Sequence, residues 1–238
     1  MAQYFTNFSE YTTGVQPTDW TKRFHATFDW LVEDDAGATG GKKLVCQEAT
    51  ASDRNGLSWD AIDGDVNRAD GTTYARIRFP TVSLNDEILM MIRGVGSDTN
   101  ETAIRSGPRP KNSQIEIAKY VNANFSSIAT YTLSFTENVW YDVEAQSVGT
   151  SQKLKFWLAS DPKPTAWQIE TTTSTPTAAG WVGLFRFDTG LVEIDRFGFG
   201  SGTDAAPTSP VTPTLNAPIN LGFTNKLTTA IRLTWEQG

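Results

Sequence analysis

Short runs of alternating apolar and polar residues dominate this sequence, and they constrain the fold more than any other feature. The runs are separated by Gly, Asn, Asp and Pro, and apolar residues seldom recur at the three- and four-residue spacing of a helix. Side chains of a strand point alternately to the two faces of a sheet. The pattern therefore predicts an all-β fold in which two antiparallel sheets pack face to face.

The alternation also predicts which side chains face the core. In 72–79, Thr73, Ala75, Ile77 and Phe79 face inward. The segment 88–92 is apolar on both faces, which is typical of a central strand. We also expect a strand over 24–32 that buries Phe24, Ala26, Phe28, Trp30 and Val32, and a hairpin turn at 148–151. The segments 181–187 and 191–199 are expected to pair around the turn 188–190.

The last strand departs from simple alternation. A regular strand would place Glu193 and Asp195 on the core face together with Phe197 and Phe199. A bulge near Asp195 would turn the acidic side chains outward, because a bulge inserts one extra residue and re-aims those that follow. The sequence alone leaves the regular and the bulged strand equally open.

Charge and composition exclude several classes of function. The net charge is −7, with 20 Lys+Arg against 27 Asp+Glu, so we expect no binding to nucleic acid. Cys46 is the only cysteine and His25 the only histidine, which excludes an internal disulfide and a two-histidine metal motif. We expect no membrane insertion and no signal peptide, and hence a chain that is made and folded in a cytosol.

After Gly202 the composition changes to Pro and Thr. We therefore divide the chain into a β-sandwich (1–204), a Pro/Thr linker (205–217) and a C-terminal extended tail (218–238). The tail resembles the first two strands of a fibronectin type III domain, with apolar side chains at Ile219, Leu221, Ile231, Leu233 and Trp235. Two strands alone are not stable in water. The tail is therefore expected to dock on a partner or a neighbouring subunit, or, as the alternative, to lie as a truncated piece against its own domain or a neighbour.

Several segments resemble concanavalin A-like lectin/glucanase domains of the laminin-G-like type. They are the Lys/apolar/Trp strand with its proline turn at 153–167, the following strand at 179–184, the closing strand at 194–200 and the opening at 5–20. The resemblance spans about residues 3–202. It implies a jelly roll of two antiparallel sheets, one of them concave, with adjacent terminal strands. It also implies that ligands bind on the concave sheet or at a rim. Some members carry a structural calcium, and no spaced acidic loop supports one here, so we expect no cofactor and leave calcium open.

The case for catalysis rests on Glu193 and Asp195. Glucanases of this resemblance carry Glu-x-Asp-x-x-Glu on one strand, and a retaining mechanism needs a proton donor beside the nucleophile. The third position here is Gly198, or Phe197 in the variant spacing, and neither donates a proton. We therefore predict that the protein is not an enzyme. His25 lacks a nucleophile motif and is interpreted as a solvated strand residue, and Cys46 as a small buried hydrophobe.

An outward-facing polar set suggests a binding face. Aromatic rings stack on sugars while polar neighbours supply hydrogen bonds. Trp157 is the strongest candidate, because an outward tryptophan on the same strand face as lysines is unusual. The set comprises Tyr74, Arg76, Arg78, Glu116, Glu144, Gln146, Lys155 and Trp157, with Trp59 nearby. Three interpretations remain open: a glycan site, a protein interface, or a salt-bridged outer sheet whose Trp157 is covered by the tail, a loop or a neighbour.

The resemblance favours a virion structural or attachment protein of a bacteriophage, such as a tail-fibre, head-fibre or decoration subunit. Phage surface proteins often combine lectin-like and fibronectin-like pieces. This hypothesis places the protein on the virion surface after assembly in the host cytoplasm. Its expected partners are other virion proteins, copies of itself and host surface polysaccharide. The alternative is a carbohydrate-binding module or adhesin fragment of a larger secreted bacterial protein.

Overall fold

The computed structural model describes residues 2–23, 29–46, 54–63, 68–82, 87–96, 99–187 and 190–210. Almost all regular structure in these ranges is antiparallel β-sheet, in two sheets. Sheet A contains β1 (Gln3–Thr6), β3 (Trp30–Asp34), β4 (Lys42–Cys46), β6 (Gly71–Arg78), β11 (Trp140–Val148), β12 (Ser151–Leu158), β13 (Ile169–Thr172) and β15 (Val192–Ser201). Sheet B contains β2 (Trp20–Lys22), β5 (Arg54–Trp59), β7 (Glu87–Val95), β8 (Thr102–Arg109), β9 (Gln114–Val121), β10 (Asn124–Thr132) and β14 (Trp181–Phe187). The helix α1 (Asp60–Asp63) and a 3₁₀ turn (Pro110–Asn112) lie between strands.

The strand order confirms the predicted two-sheet sandwich. Sheet A runs β13-β12-β11-β6-β15-β4-β3, and β1 also pairs with β15. Sheet B runs β10-β9-β8-β7-β14-β5-β2. The chain crosses between the sheets several times, as in a jelly roll. Of the strands in the described residues, the first and the last lie side by side, as the family resemblance implied. In the described part of the chain, no helix is long and apolar enough to cross a membrane.

The core fills the space between the two sheets. The inward set predicted for 72–79 is correct, because Ala75, Ile77 and Phe79 pack in the main core and Thr73, on the same face, is buried. One end of the core is aromatic: the rings of Trp20 and Trp59 stack with centroids 5.2 Å apart, and the ring of Phe197 meets both edge-on. Stacked and edge-on rings bury large apolar areas in a fixed geometry.

Two local predictions are confirmed. The strand β7 lies in the middle of sheet B, and Ile88–Ile92 is buried on both faces. β11 and β12 form a hairpin in which Val148 pairs with Ser151, so the loop is Gly149-Thr150. Gly149 has a φ of 54°, a left-handed conformation that favours glycine in such tight turns.

The predicted pairing of 181–187 with 191–199 is wrong. β14 pairs with β5 and β7 in sheet B, whereas β15 pairs with β1, β4 and β6 in sheet A. Both strands bury one face in the same core, and alternation records only that face. The alternating pattern does not show which sheet a strand joins. It therefore cannot distinguish a hairpin within one sheet from a connection that crosses to the other sheet.

The bulge at Asp195 is present. Glu193 pairs with Arg78 of β6 and Ile194 with Ile77, but the next pair is Arg196 with Arg76, which leaves Asp195 as the extra residue. Phe197 and Phe199 therefore enter the core, while Glu193 stays on the outer face with Arg78. The bulge resolves the conflict between the acidic and the aromatic residues of this strand.

The first part of the predicted linker packs on the sandwich. We call residues 204–210 the strap, because they cross the outer face of sheet A. Ala206 is buried against Tyr74 and Trp157, and the carbonyl of Thr208 accepts a 2.9 Å hydrogen bond from Arg196. The rest of the linker (211–217), the fibronectin-like tail and residues 24–28 lie outside the described residues.

Candidate functional site

The outer face of sheet B is concave. Arg54 lies on β5 and Tyr120 on β9, and three strands separate them. Neighbouring strands are about 4.8 Å apart, so a flat sheet would hold these two side chains far from each other. Instead, the Arg54 guanidinium carbon is 5.3 Å from the centroid of the Tyr120 ring. The sheet therefore curves, with this face on the inside.

A groove of about 170 Å³ lies on this concave face. Its floor is apolar, because Leu89 and Phe185 belong to a buried cluster separate from the main core. Its lining residues come from β7, β8, β9, β10 and β14. They are Glu87, Leu89, Arg105, Arg109, Glu116, Ala118, Tyr120, Phe125, Phe185 and Phe187. An apolar floor bordered by a few polar side chains is typical of small-molecule sites.

A stack of rings and one guanidinium forms the centre of the groove. The guanidinium of Arg105 lies 3.1 Å from the Phe185 ring centroid and 4.0 Å from that of Tyr120. The Tyr120 ring meets the ring of Phe125 edge-on, with centroids 5.5 Å apart. Phe125 is 49% exposed, whereas Tyr120 is 8% exposed. Phe125 is therefore the accessible ring, and the buried side chains behind it hold it in place.

Arg105 forms a buried ion pair with Glu101, and neither residue is more than 1% exposed. Burial lowers the pKa of Arg105 from its usual value, because removal from water disfavours the charged form. Glu101 also lies 3.9 Å from Arg54, measured from Oε2 to Nη1. Arginines of β5 and β8, which are separated by two strands, therefore lie near the same carboxylate.

One arginine joins two carboxylates at the other end of the groove. Nε of Arg109 is 2.5 Å from Oε1 of Glu87, and Nη1 of the same arginine is 2.5 Å from Oε2 of Glu116. Burial raises the pKa of the Glu87 carboxyl above its usual value, and the positive charge of Arg109 opposes that shift. The groove thus offers both a guanidinium and carboxylates beside its aromatic floor.

Sequence reasoning did not find this groove. Two signals pointed toward it. The segment 88–92 is hydrophobic on both faces, and Leu89 forms the groove floor outside the main core. Glu116 was also assigned outward, but it was grouped with residues of the other sheet. Phe125 was not identified from the sequence. β10 is exposed along most of its length, so it has no buried face that an alternating pattern could mark. The convergence of five strands on one groove is a property of the curvature.

The predicted binding face lies on the opposite side of the molecule, on the outer face of sheet A. Tyr74, Arg76 and Trp157 line a shallow depression of about 270 Å³ there. Arg76 donates two hydrogen bonds to Asp142, of 2.7 and 2.9 Å, and Tyr74 donates one of 2.7 Å to the same carboxylate. The polar side chains of this depression are held by one another.

The other predicted members of this face are also paired. Arg78 contacts Glu193 and Asp35 and lies 4.3 Å from the Trp140 ring centroid. The carboxylate of Glu144 pairs with Lys163. Gln146 donates a 3.2 Å hydrogen bond to Thr72, and Lys155 lies 4.1 Å from the Trp167 ring centroid. The outer face of sheet A is therefore a salt-bridged surface, as in the third interpretation given above.

Trp157 points outward as predicted, but it is only 8% exposed, because Ala206 of the strap packs on it. The same contact leaves Tyr74 only 1% exposed. Two further members of the predicted set do not belong to this face. Trp59 is in the core, stacked on Trp20, and Glu116 lines the groove of sheet B. Alternation gave the outward direction of Glu116 without saying which sheet it belongs to, and it assigned no direction to Trp59.

The sequence matches no protein-family model and no curated protein. Solved structures are similar in fold. The carbohydrate-binding module CBM66 from Bacillus subtilis has a TM-score of 0.52 and 16% identity, covering 77% of this chain and 95% of that chain. The exoplasmic/lumenal domain of VIP36, in its Ca²⁺/Man₃GlcNAc-bound form, has a TM-score of 0.53 and 13% identity over 84% and 90% of the two chains. A Bacteroides ovatus mixed linkage glucan GH16 protein in complex with a G4G4G3G product has a TM-score of 0.56 and 10% identity, over 83% and 99%.

The fold is a concanavalin A-like jelly roll. At identities of 16% or less, these structural similarities establish the fold alone. The function must be argued from the site itself.

In this sandwich, the carboxylates of Glu193 and Asp195 form ion pairs and hydrogen bonds with neighbouring protein groups. Glu193 pairs with Lys43 and Arg78. Asp195 accepts hydrogen bonds from the amide of Thr39, at 2.6 Å, and from its hydroxyl, at 2.8 Å. Both carboxylates belong to sheet A, whereas the groove is on sheet B. They hold the bulge and the neighbouring loop in place.

Two sequence candidates remain to be placed. His25 lies outside the described residues. Cys46 is fully buried, and burial raises the pKa of its thiol to about 11. Among the residues that the structure describes, no group of three or more His, Cys, Asp or Glu side chains is arranged to hold a metal ion.

Proposed function

We propose that this protein binds glycans in the concave groove of sheet B and does not cleave them. The observation that carries the proposal is the exposed ring of Phe125, held by the buried Tyr120–Arg105–Phe185 stack beside polar groups. A pyranose has an apolar C–H face and a rim of hydroxyls. It therefore suits a site in which an aromatic ring and hydrogen-bonding groups lie side by side.

Each part of the groove has a role in this proposal. Phe125 stacks on the apolar face of a sugar ring. Arg109 donates to hydroxyl oxygens, and Glu87 and Glu116 accept from hydroxyl hydrogens. Arg105 is a positioning residue, since it is buried and acts through the rings it contacts. The contacting side chains come from paired strands, so little conformational entropy is lost when a ligand binds.

Hydrolysis is the second candidate, and one observation favours it. Glu87 and Glu116 share the groove, and burial raises the pKa of Glu87 as a proton donor would require. However, the scissile bond of a glycoside must lie between the two carboxylates. The Arg109 guanidinium occupies that space, within 2.5 Å of both. Binding without cleavage therefore fits the geometry better.

The test compares two aromatic residues of the same strand. Phe125 and Tyr131 are 49% and 46% exposed on β10, but only Phe125 lines the groove. Phe125→Ala should weaken binding about tenfold or more, which corresponds to about 1.4 kcal/mol or more. Tyr131→Ala should leave affinity unchanged. The measurement is an array of bacterial surface polysaccharides and β-glucans, followed by calorimetric titration of the best-bound glycan.

Equal losses in both variants would contradict the groove as the binding site. Release of reducing sugar from any bound glycan, abolished by Glu87→Gln, would replace the binding function by hydrolysis.

The biological setting is proposed from the resemblance. We propose a bacteriophage virion protein, a fibre or decoration subunit, that presents this groove to host surface polysaccharide. The Pro/Thr segment and fibronectin-like tail support it, and copies of the chain would assemble with other virion proteins. A carbohydrate-binding module or adhesin fragment of a larger secreted protein is the alternative. Neighbouring genes for virion components and a multimeric mass in solution are expected. An upstream export signal in the genome would favour the alternative.

A further inference from the structure

The charged side chains in and around the groove are balanced in number. Three arginines, Arg54, Arg105 and Arg109, face three glutamates, Glu87, Glu101 and Glu116. The chain as a whole carries a net charge of −7, so this balance is local. A site built for an anionic ligand concentrates positive charge in its cavity. This groove does not do so.

The arginines are also committed to protein carboxylates. Arg109 uses Nε for Glu87 and Nη1 for Glu116, so the planar fork that would grip a ligand carboxylate or phosphate is already occupied. Arg105 is 1% exposed, pairs with Glu101 and lies between two aromatic rings. An anionic sugar could therefore form a bidentate pair with Arg109 only by displacing a glutamate.

Displacement of a glutamate would be costly. Glu116 is 2% exposed and Glu87 is 8% exposed. A carboxylate that loses its counter-charge at such a depth keeps its full desolvation penalty. A second negative charge brought by the ligand would add repulsion between like charges. An uncharged hydroxyl meets neither cost, since Arg109 uses one oxygen of each carboxylate and an ionised carboxylate has two acceptor oxygens.

We infer that the groove selects uncharged glycans and rejects the same glycans when they carry carboxylates. This inference rests on the proposed glycan-binding function and names its ligand class. The Glu87–Arg109–Glu116 triad is the specificity determinant: its two carboxylates neutralise the one guanidinium that faces the ligand.

The experiment uses a matched pair of probes: the best-bound neutral polysaccharide from the array, and the same polysaccharide oxidised to carboxylates at C6. Wild-type protein should bind the neutral form at least tenfold more tightly. Glu87→Gln/Glu116→Gln should reverse or erase this preference, because Arg109 then faces the ligand without its carboxylates. Glu116→Gln alone should give a smaller shift in the same direction. Glu33→Gln, on the edge of sheet A, is the matched control and should keep the wild-type ratio.

The outcomes separate the two proposals. Tighter binding of the oxidised form by wild-type protein would overturn the inference and leave glycan binding intact. An unchanged ratio in a folded double variant, with thermal unfolding as the check, would remove the triad as its cause. If the double variant does not fold, the inference is still tested by two measurements. They are the ratio of neutral to oxidised affinity in the wild type and the same ratio in Glu116→Gln. If the protein binds no glycan on the array, both the proposed function and this inference are wrong.

Discussion

Arg105 shows how a single buried charge can organise a binding surface. It is paired with Glu101, and its guanidinium is flanked by the rings of Tyr120 and Phe185. A buried ion pair gains little over an apolar pair of similar volume, because desolvation offsets the Coulomb attraction. Its value here is geometric, because it fixes the ring on which Phe125 rests. Removing one member of the pair is a different matter, since it leaves the other charge in the interior.

We predict that Glu101→Gln lowers the free energy of unfolding by about 3 kcal/mol or more, because the buried Arg105 loses its carboxylate. Glu33→Gln is the matched control. Glu33 lies 3.6 Å from Lys43 and its side chain is 44% exposed, so the change should cost less than about 1 kcal/mol. Urea unfolding of the two variants and the wild type measures both values. Similar losses for Glu101→Gln and Glu33→Gln would show that the buried pair has no special role.

At the scale of elements, the strap and β15 depend on each other. β15 carries glycines at 198 and 200, and an added Cβ at either position would overlap the backbone carbonyl of Pro207 or Ala205. The strap can lie flat on sheet A only because these side chains are absent. Its contact with Trp157 and Tyr74 follows from that close approach. The predicted linker therefore begins as part of the sandwich.

Gly198→Val is predicted to displace the strap and expose Trp157. The measurement is acrylamide quenching of tryptophan fluorescence, with the contribution of Trp157 isolated by comparison with a Trp157→Phe background. The Stern–Volmer constant of Trp157 should rise clearly above its wild-type value, because the ring is only 8% exposed when the strap covers it. Gly149→Ala is the control: its Cβ would meet open space, and its φ of 54° costs strain only at the distant hairpin. Unchanged quenching in Gly198→Val would show that the strap does not cover this tryptophan.

At the scale of the whole molecule, the two sheets share one continuous core, and Cys46 reports on its integrity. Cys46 ends β4, is fully buried and packs in the main core. Burial raises the pKa of its thiol to about 11, so the reactive thiolate is scarce at neutral pH. Reaction with a thiol reagent therefore requires that the core opens.

We predict that an aromatic disulfide reagent labels Cys46 at the rate of global unfolding. The check is to compare labelling kinetics near pH 8 with the unfolding rate extrapolated from denaturant. Ser209→Cys in a Cys46→Ser background provides an exposed thiol on the strap, and it should react at once. Labelling of Cys46 much faster than unfolding would mean that this end of the sandwich opens independently.

The amino-acid pattern alone determined the two-sheet architecture and the inward faces of its strands. Thr73, Ala75, Ile77 and Phe79 were assigned correctly, because a period of two and a buried face leave one choice. It also identified the tight turn at Gly149 and the conflict that the bulge at Asp195 resolves. These features are local: each follows from neighbouring residues and the geometry of a pleated strand.

Tertiary structure alone decided which outward faces come together and which are covered. Alternation placed Trp157 and Glu116 outward, but the strap buries the first and the second lies in the groove of the other sheet. The groove exists because sheet B curves until residues far apart in sequence, such as Arg54 and Tyr120, come into contact. Curvature is the sum of small twists over seven strands. A residue pattern with a period of two contains no information about that sum.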